Sequence, residues 1–204
     1  GRRLSSGPAV TSCTRLRSDT ERLQARAARS GGRIELLATP LDPTRTVVID
    51  LHYATAGSAR YPVERCPRTR LRISLPARFP FQPPLASVAS PIWHPNVFES
   101  GTICIGNRWL PSEGLDQFVE RLVRLLTFDP LLVNAVAPAN HPAAAWYERT
   151  RRLHPDAFPS DRVRLEPERV LRECPSCHRS LRLPRERRGS VRCPDCGARF
   201  EAST

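Results

Sequence analysis

The tightest constraint on this chain lies near its C-terminal end. Cys174-Pro-Ser-Cys177 is followed by fifteen residues and then Cys193-Pro-Asp-Cys196. Two Cys-x-x-Cys turns at this spacing supply four thiolates, the donor set of tetrahedral zinc. A proline after the first cysteine of each pair, and Gly197 after the last, suit tight turns. A redox dithiol and an iron–sulfur site are the alternatives, and paired motifs at this spacing fit structural zinc better. The reading is a zinc ribbon over residues 173–204, with Cys174, Cys177, Cys193 and Cys196 as ligands and His178 as a bystander. "SLRLP" and "SVRC" alternate like the strands of one small hairpin between the pairs. A module this small depends on its metal to fold. Arg182, Arg185, Arg187, Arg188 and Arg192 could meet phosphates. A solvated hairpin or a docking module for protein is the plainer reading, and the single nearby aromatic, Phe200, gives no stacking platform for bases.

The rest of the chain is long enough to build a core without such help. Its 204 residues, 40% hydrophobic, suit one ordinary domain plus a small module. No apolar run approaches the roughly 20 residues of a membrane span, and "GRRLSSGPAV" lacks the apolar centre of a secretory signal. Cys13, Cys66 and Cys104 are odd in number and widely spaced, which argues against a disulfide framework and for a reducing compartment; the expected location is cytoplasmic, with no membrane partner. The net charge is +12, and every basic residue is arginine. Coding bias toward arginine is the plain explanation. Residues 160–204 hold eleven Arg against seven acids, net +4, leaving +8 for the rest. A charge spread this way admits an acidic protein surface as readily as nucleic acid.

Periodicity gives the order of elements. Leu16, Leu23 and Ala27 place an apolar stripe on a helix from about Ser12 to Arg29, with Arg15, Arg22, Arg26 and Arg29 on its other faces and Gly31-Gly32 as its stop. Strands follow at Ile34–Ala38 and Thr46–Tyr53. "RTRLRISLP" alternates, with Leu71, Ile73 and Leu75 on one face and Arg70, Arg72 and Ser74 on the other. "PLASVAS" reads as one more strand, after a stiff proline-rich loop. From Ser112 the spacing turns helical through Leu115, Phe118, Leu122, Leu125 and Leu126, with Ser112 as the expected cap. Asp129-Pro130 ends that helix, and another begins near His141-Pro142 and runs to about Arg152. Helix, strands and helices in segregated runs indicate an α+β fold. Residues 153–172, with Pro155, Pro159 and Pro167, read as a linker with a short helix over Pro167–Arg172.

The chemistry points to "SPIWHPNVFESGTICIGNRWLP", residues 90–111. Cys104 lies between two isoleucines, as a buried strand thiol would. Gly101 and Gly106 bracket it, however, and the prolines and small polar residues around it indicate an extended, loop-like stretch. A thiol there can act as a nucleophile. Asn96, in a turn after Pro95, has an amide that could donate to an oxyanion. His94 could serve as a base, although a histidine before proline often ties down a turn. No acid is spaced to orient it, so a protease-like triad lacks its third member.

The order "YP", strand, "LPARFPFQPP", "IWHPNVFESGTICI", "WLP", a helix ending in "LL", "DP" and "HPAAAWY" closely resembles the catalytic domain of ubiquitin-conjugating enzymes, over roughly residues 12–152. The resemblance implies that fold: an N-terminal helix, an antiparallel sheet and C-terminal helices. It also implies a mechanism. An activating enzyme passes a ubiquitin-like protein to Cys104 as a thioester, and an amine then attacks it. Asn96 matches the family asparagine, and His94 the motif histidine, whose role is mainly structural. Arg15 and Arg22 match the helix face that meets the activating enzyme. Phe81, Trp109, Leu110 and Pro111 match the loops that meet ligases. Three departures stand out: only four residues separate Cys104 from Trp109, Gly106 replaces a common acid, and the late loop reads "APANHPA", where Asn140 or His141 would have to stand in for an acid or serine. These resemble the divergent enzymes of bacterial ubiquitin-like pathways. Within this resemblance the lack of lysine would also prevent self-modification on lysine, and the ribbon would recruit a ligase or target. Two other readings are a catalytically weak adaptor that only binds ubiquitin-like proteins, and a nucleic-acid binder in which the front domain is scaffolding.

Overall fold

The computed structural model describes residues 8–40, 45–106, 109–163, 169–184 and 188–203. It divides into two compact units, residues 1–163 and 164–204. In the first, helix α1 (Pro8–Ala28) precedes strands β1 (Ile34–Ala38), β2 (Thr46–Leu51), β3 (Thr69–Ser74) and β4 (Leu85–Val88). These pair antiparallel in chain order, with Ile49 opposite Leu71 and Val47 opposite Ile73. Strand alternation sends those four side chains to one face, where all are fully buried. Helix α2 (Leu115–Leu126) covers that face with Leu115, Phe118, Val119, Leu122, Val123, Leu125 and Leu126, a spacing of three and four residues that makes one apolar stripe. Among the described residues, no helix is long and apolar enough to cross a membrane.

The cap of α2 is not Ser112. The helix begins after Gly114, whose N–H donates to Gln117 Oε1 at 3.2 Å. A side chain at 114 would collide with the paired Asp116 and Arg22 side chains: a Cβ there would lie 2.4 Å from Asp116 Oδ1.

The arginines of α1 that lie off its apolar stripe do not all face solvent. Arg15, Arg22 and Arg26 turn toward α2. Arg15 and Arg22 both bind Asp19, which is fully buried, and Arg26 pairs with Glu120 at 3.0 Å. A buried carboxylate needs such partners.

Residues 153–163 are not linker. Helix α3 (His141–Leu153) runs into a 3-10 turn at Pro155–Ala157. Phe158 then packs among Tyr61, Phe128, Trp146 and Tyr147. Asp161 accepts from Ala54 N at 2.7 Å and pairs with Arg33 at 2.6 Å, while Ser160 Oγ donates to Ala54 O at 2.6 Å. Aromatic burial and paired polar groups outweigh the two prolines that made this stretch look like a spacer.

The second unit has strands β5 (Arg169–Glu173), β6 (Ser180–Pro184), β7 (Arg188–Arg192) and β8 (Arg199–Ser203). In place of the expected helix over Pro167–Arg172, Arg169–Arg172 lie in β5, and Pro167 and Glu168 are outside the described residues. Nor do β6 and β7 form one hairpin. β5 pairs with β6 and β7 with β8, because each Cys-x-x-Cys turn folds its own flanking strands together.

Candidate functional site

The Cys104 segment is held as extended backbone on both sides. Ile103 N–H donates to Ala86 O at 2.9 Å, extending the sheet past β4. Phe98 N–H donates to Thr102 O at 2.9 Å on the other side. The turn between them needs Gly101: its φ is +83°, and a Cβ there would lie 2.7 Å from the Val88 carbonyl oxygen. Cys104 follows, half-buried, at a cleft of about 290 Å³.

Asn96 joins this segment to the late loop. Cys104 N–H donates to Asn96 O at 2.7 Å, and Asn96 Nδ2 donates back to Cys104 O at 3.3 Å. Its Oδ1 accepts from Asn134 N at 2.9 Å. Ala139 N and Asn140 N donate to Pro95 O at 2.8 and 3.1 Å, so the loop is pinned at both ends to the His94-Pro95-Asn96 turn.

His94 cannot be the base. It is fully buried, its Nδ1 accepts from Asn96 N at 3.0 Å, and its Nε2 sits 2.8 Å from Leu125 O. With Nδ1 accepting, Nε2 carries the hydrogen and donates to that carbonyl. Burial pushes its pKa down to about 3, so the ring is neutral at pH 7. It ties the Asn96 turn to α2.

The late-loop candidates fall elsewhere. Asn140 Oδ1 caps α3 by accepting from Ala143 N at 3.0 Å, and Asn140 lines a different groove, beside Phe98 and Glu99. His141 is exposed at the first position of α3. The residues that do share the cleft with Cys104 include Asn134 and Arg121. Asn134 locks its own turn, exchanging hydrogen bonds with Ala137 at 2.8 and 3.0 Å. Arg121 donates through Nε and Nη2 to the two oxygens of Glu113, at 3.0 and 2.9 Å. Neither residue carried a signal in the sequence, since both act through chain segments distant from Cys104.

Trp109 is half-buried rather than presented. Its Nε1 donates to Pro80 O at 2.7 Å, and its ring packs edge-on against Phe118. This bond joins the two loops whose tips are Phe81, 80% exposed, and Leu110, 66% exposed, with Pro111 exposed beside it. Arg15 Nη2 donates to Glu113 O at 2.7 Å and Arg22 reaches Asp116 at 3.4 Å, so both guanidinium groups are partly engaged within the fold.

In the second unit, the thiol sulfurs of Cys174, Cys177, Cys193 and Cys196 all lie within 4.8 Å of one another. Two of the separations are 3.6 and 3.7 Å. A tetrahedron with metal–sulfur bonds of about 2.3 Å has sulfurs about 3.8 Å apart, so the cluster can hold a metal ion. The two turns match. Cys174 N donates to Arg179 O at 2.9 Å and Cys193 N to Ala198 O at 2.8 Å. His178 (φ +57°) and Gly197 (φ +74°) take the same left-handed place in each. His178 is not in the cluster. Arg182, Arg188 and Arg192 are exposed, while Arg185 and Arg187 lie outside the described residues.

Part of the first unit is similar to known proteins. The family model for ubiquitin-conjugating enzyme matches residues 68–158. A mouse protein, ubiquitin-conjugating enzyme E2 T, is 33% identical over 114 residues, covering 53% of this chain and 55% of that protein. Its human counterpart is 31% identical over 119 residues, covering 55% and 60%. Ubiquitin-conjugating enzyme E2 2 of Candida albicans is 35% identical over 88 residues, covering 42% and 47%. The chain thus spans about half the length of the curated relatives it matches. The matched stretch lies in a unit of mixed helix and antiparallel sheet, and the chain continues into a four-cysteine module consistent with a small zinc ribbon.

Proposed function

We propose that this protein accepts a ubiquitin-like protein as a thioester on Cys104 from an activating enzyme and passes it on, the final acceptor being an amine on a target. The observation that carries this reading is the placement of Cys104. Within the family-matched stretch it opens onto a cleft, beside an Asn96 amide fixed by the Cys104 backbone and the late loop. One Nδ2 hydrogen of Asn96 is spent on Cys104 O, leaving a second donor for the oxyanion of the tetrahedral intermediate. His94 acts from below by fixing the Asn96 turn.

The exposed tips Phe81, Leu110 and Pro111, braced by Trp109, are the proposed ligase contact. The proposed contact for the activating enzyme is α1, where Arg15 and Arg22 keep part of their surface outside the clamp to α2. The four cysteines are proposed to bind structural zinc, and the ribbon to recruit a ligase or target. Four reduced cysteine ligands suit a cytoplasmic setting.

The test is reconstitution with ATP and the activating enzyme and ubiquitin-like protein encoded nearest to it. A thiol-sensitive adduct on the wild type, absent from Cys104→Ala, is expected. An adduct that survives Cys104→Ala would defeat the assignment.

A further inference from the structure

The chain carries 32 basic side chains, and none of its 204 residues is lysine. The two cations differ in chemistry. Lysine releases its proton near pH 10 and then presents an amine nucleophile, whereas a guanidinium keeps its proton well above that range and does not attack. Coding bias accounts for the composition. What composition does not address is where one of these cations stands.

Arg121 lines the cleft that holds Cys104. Its side chain is 18% exposed and forked onto Glu113, and its Cζ lies 5.2 Å from the centre of the Phe118 ring. Glu113 is itself anchored: its carbonyl accepts from Arg15 at 2.7 Å and its N–H donates to Leu110 O at 2.9 Å. Arg121 is therefore held firmly on the lining of the cleft that Cys104 also lines. Two residues beyond Asn134, which also lines the cleft, Val136 is 98% exposed and apolar.

An amine held in that cleft would meet any acyl group on Cys104. Confinement of two reacting groups is worth effective molarities of about 10⁵ M or more when they are aligned. The neutral amine nitrogen would attack the thioester carbonyl carbon. A C–N bond would form, the C–S bond would break, Cys104 would leave as thiolate, and the nitrogen would give its extra proton to water. The product is an amide that no thiol reverses, and the acyl group would be lost to targets.

We propose that arginine at position 121, in a chain without a side-chain amine, keeps the thioester from being consumed by the protein that carries it and reserves the acyl group for an outside acceptor. This rests on Cys104 as the carrier thiol. Arg121 is then a specificity residue: it supplies a cation to the cleft without supplying an acceptor.

The full-length protein is loaded with a short peptide bearing a C-terminal α-thioester, and adducts are mapped by mass spectrometry before and after excess thiol. Wild type, Arg121→Lys and Val136→Lys are compared, each also combined with Cys104→Ala. Val136→Lys replaces an exposed side chain and keeps the test sound if loss of the Arg121 fork disturbs folding. On wild type, thiol is expected to reverse the adduct completely. On the lysine variants a thiol-resistant adduct is expected at the new lysine, at a rate independent of protein concentration and at least about tenfold above any resistant adduct on wild type. Cys104→Ala should abolish it. If thiol fully reverses the adducts of both lysine variants, or if wild type accumulates a resistant adduct of its own, the inference is overturned. If Cys104 of wild type takes no acyl group, the carrier reading fails and the inference falls with it.

Discussion

Cys104 and Cys174 are both set in place by backbone hydrogen bonds, but what stands behind them differs. Behind Cys104 is a packed unit: a four-stranded sheet, α2 across its face, and a buried histidine tying the Asn96 turn to α2. Behind Cys174, among the described residues, there is little more than Leu181 and Cys193, with Leu183, Val191, Ala198 and Phe200 partly buried around them. The first thiol is positioned by a core that exists without it. The second belongs to the core. One chain thus spends cysteine in two ways, as a group left accessible on a finished fold and as the material of the fold itself.

The largest expected effect breaks this comparison at the module. A strong chelator should unfold residues 169–203 and leave the first unit intact, since metal binding contributes about 10–16 kcal/mol to such modules. Amide signals of the two units, followed separately by NMR, would show it. Module signals unchanged by chelation would mean that the small apolar cluster suffices.

Next comes the turn that presents Cys104. Gly101→Ala should cost about 2–4 kcal/mol in urea unfolding, because the new Cβ meets the Val88 carbonyl at a left-handed φ. A cost under about 0.5 kcal/mol would mean that this strand pairing does not fix the segment.

Much of this unit was legible in the sequence. The alternation of Leu71, Ile73 and Leu75 and the helical spacing of α2 are local patterns, and the sheet and its cover follow from them. The paired cysteines were legible for the same reason. What was hidden depends on partners far apart in the chain. Asp161 meets Ala54 and Arg33, Asn134 meets Asn96, and Arg121 reaches the Cys104 cleft through a helix that the sequence read only for its apolar stripe. The inward turn of Arg15 and Arg22 was hidden too, because charge alone does not tell a solvated arginine from one covering a buried Asp19.

His94 gives a smaller, pH-dependent effect. Unfolded, its ring titrates near 6.5; folded, it resists protonation down to about pH 3. The unfolded chain therefore binds the proton first, and stability present above pH 6.5 is lost as pH falls toward 3. From pH 7 to 5 this amounts to about 2 kcal/mol. His94→Gln should lose correspondingly less over the same interval, and an equal loss in both proteins would mean that His94 is not buried in its neutral form.

The smallest effect sharpens the boundary of α2. Ser112→Ala should change stability by less than about 0.5 kcal/mol, since the helix starts at Leu115 and Gly114 is closed by Gln117. A loss of about 1 kcal/mol, the usual worth of a cap, would restore Ser112 to that role.

The central claim is that Cys104 carries the acyl group, and replacing its sulfur by oxygen tests it most directly. With the activating enzyme, ATP and the ubiquitin-like protein, Cys104→Ser should form an adduct that resists thiol but is cleaved by base, as an ester is, with the linkage mapped to residue 104. A thiol-sensitive adduct of wild-type amount on Cys104→Ser would place the carrier on another cysteine and contradict the account.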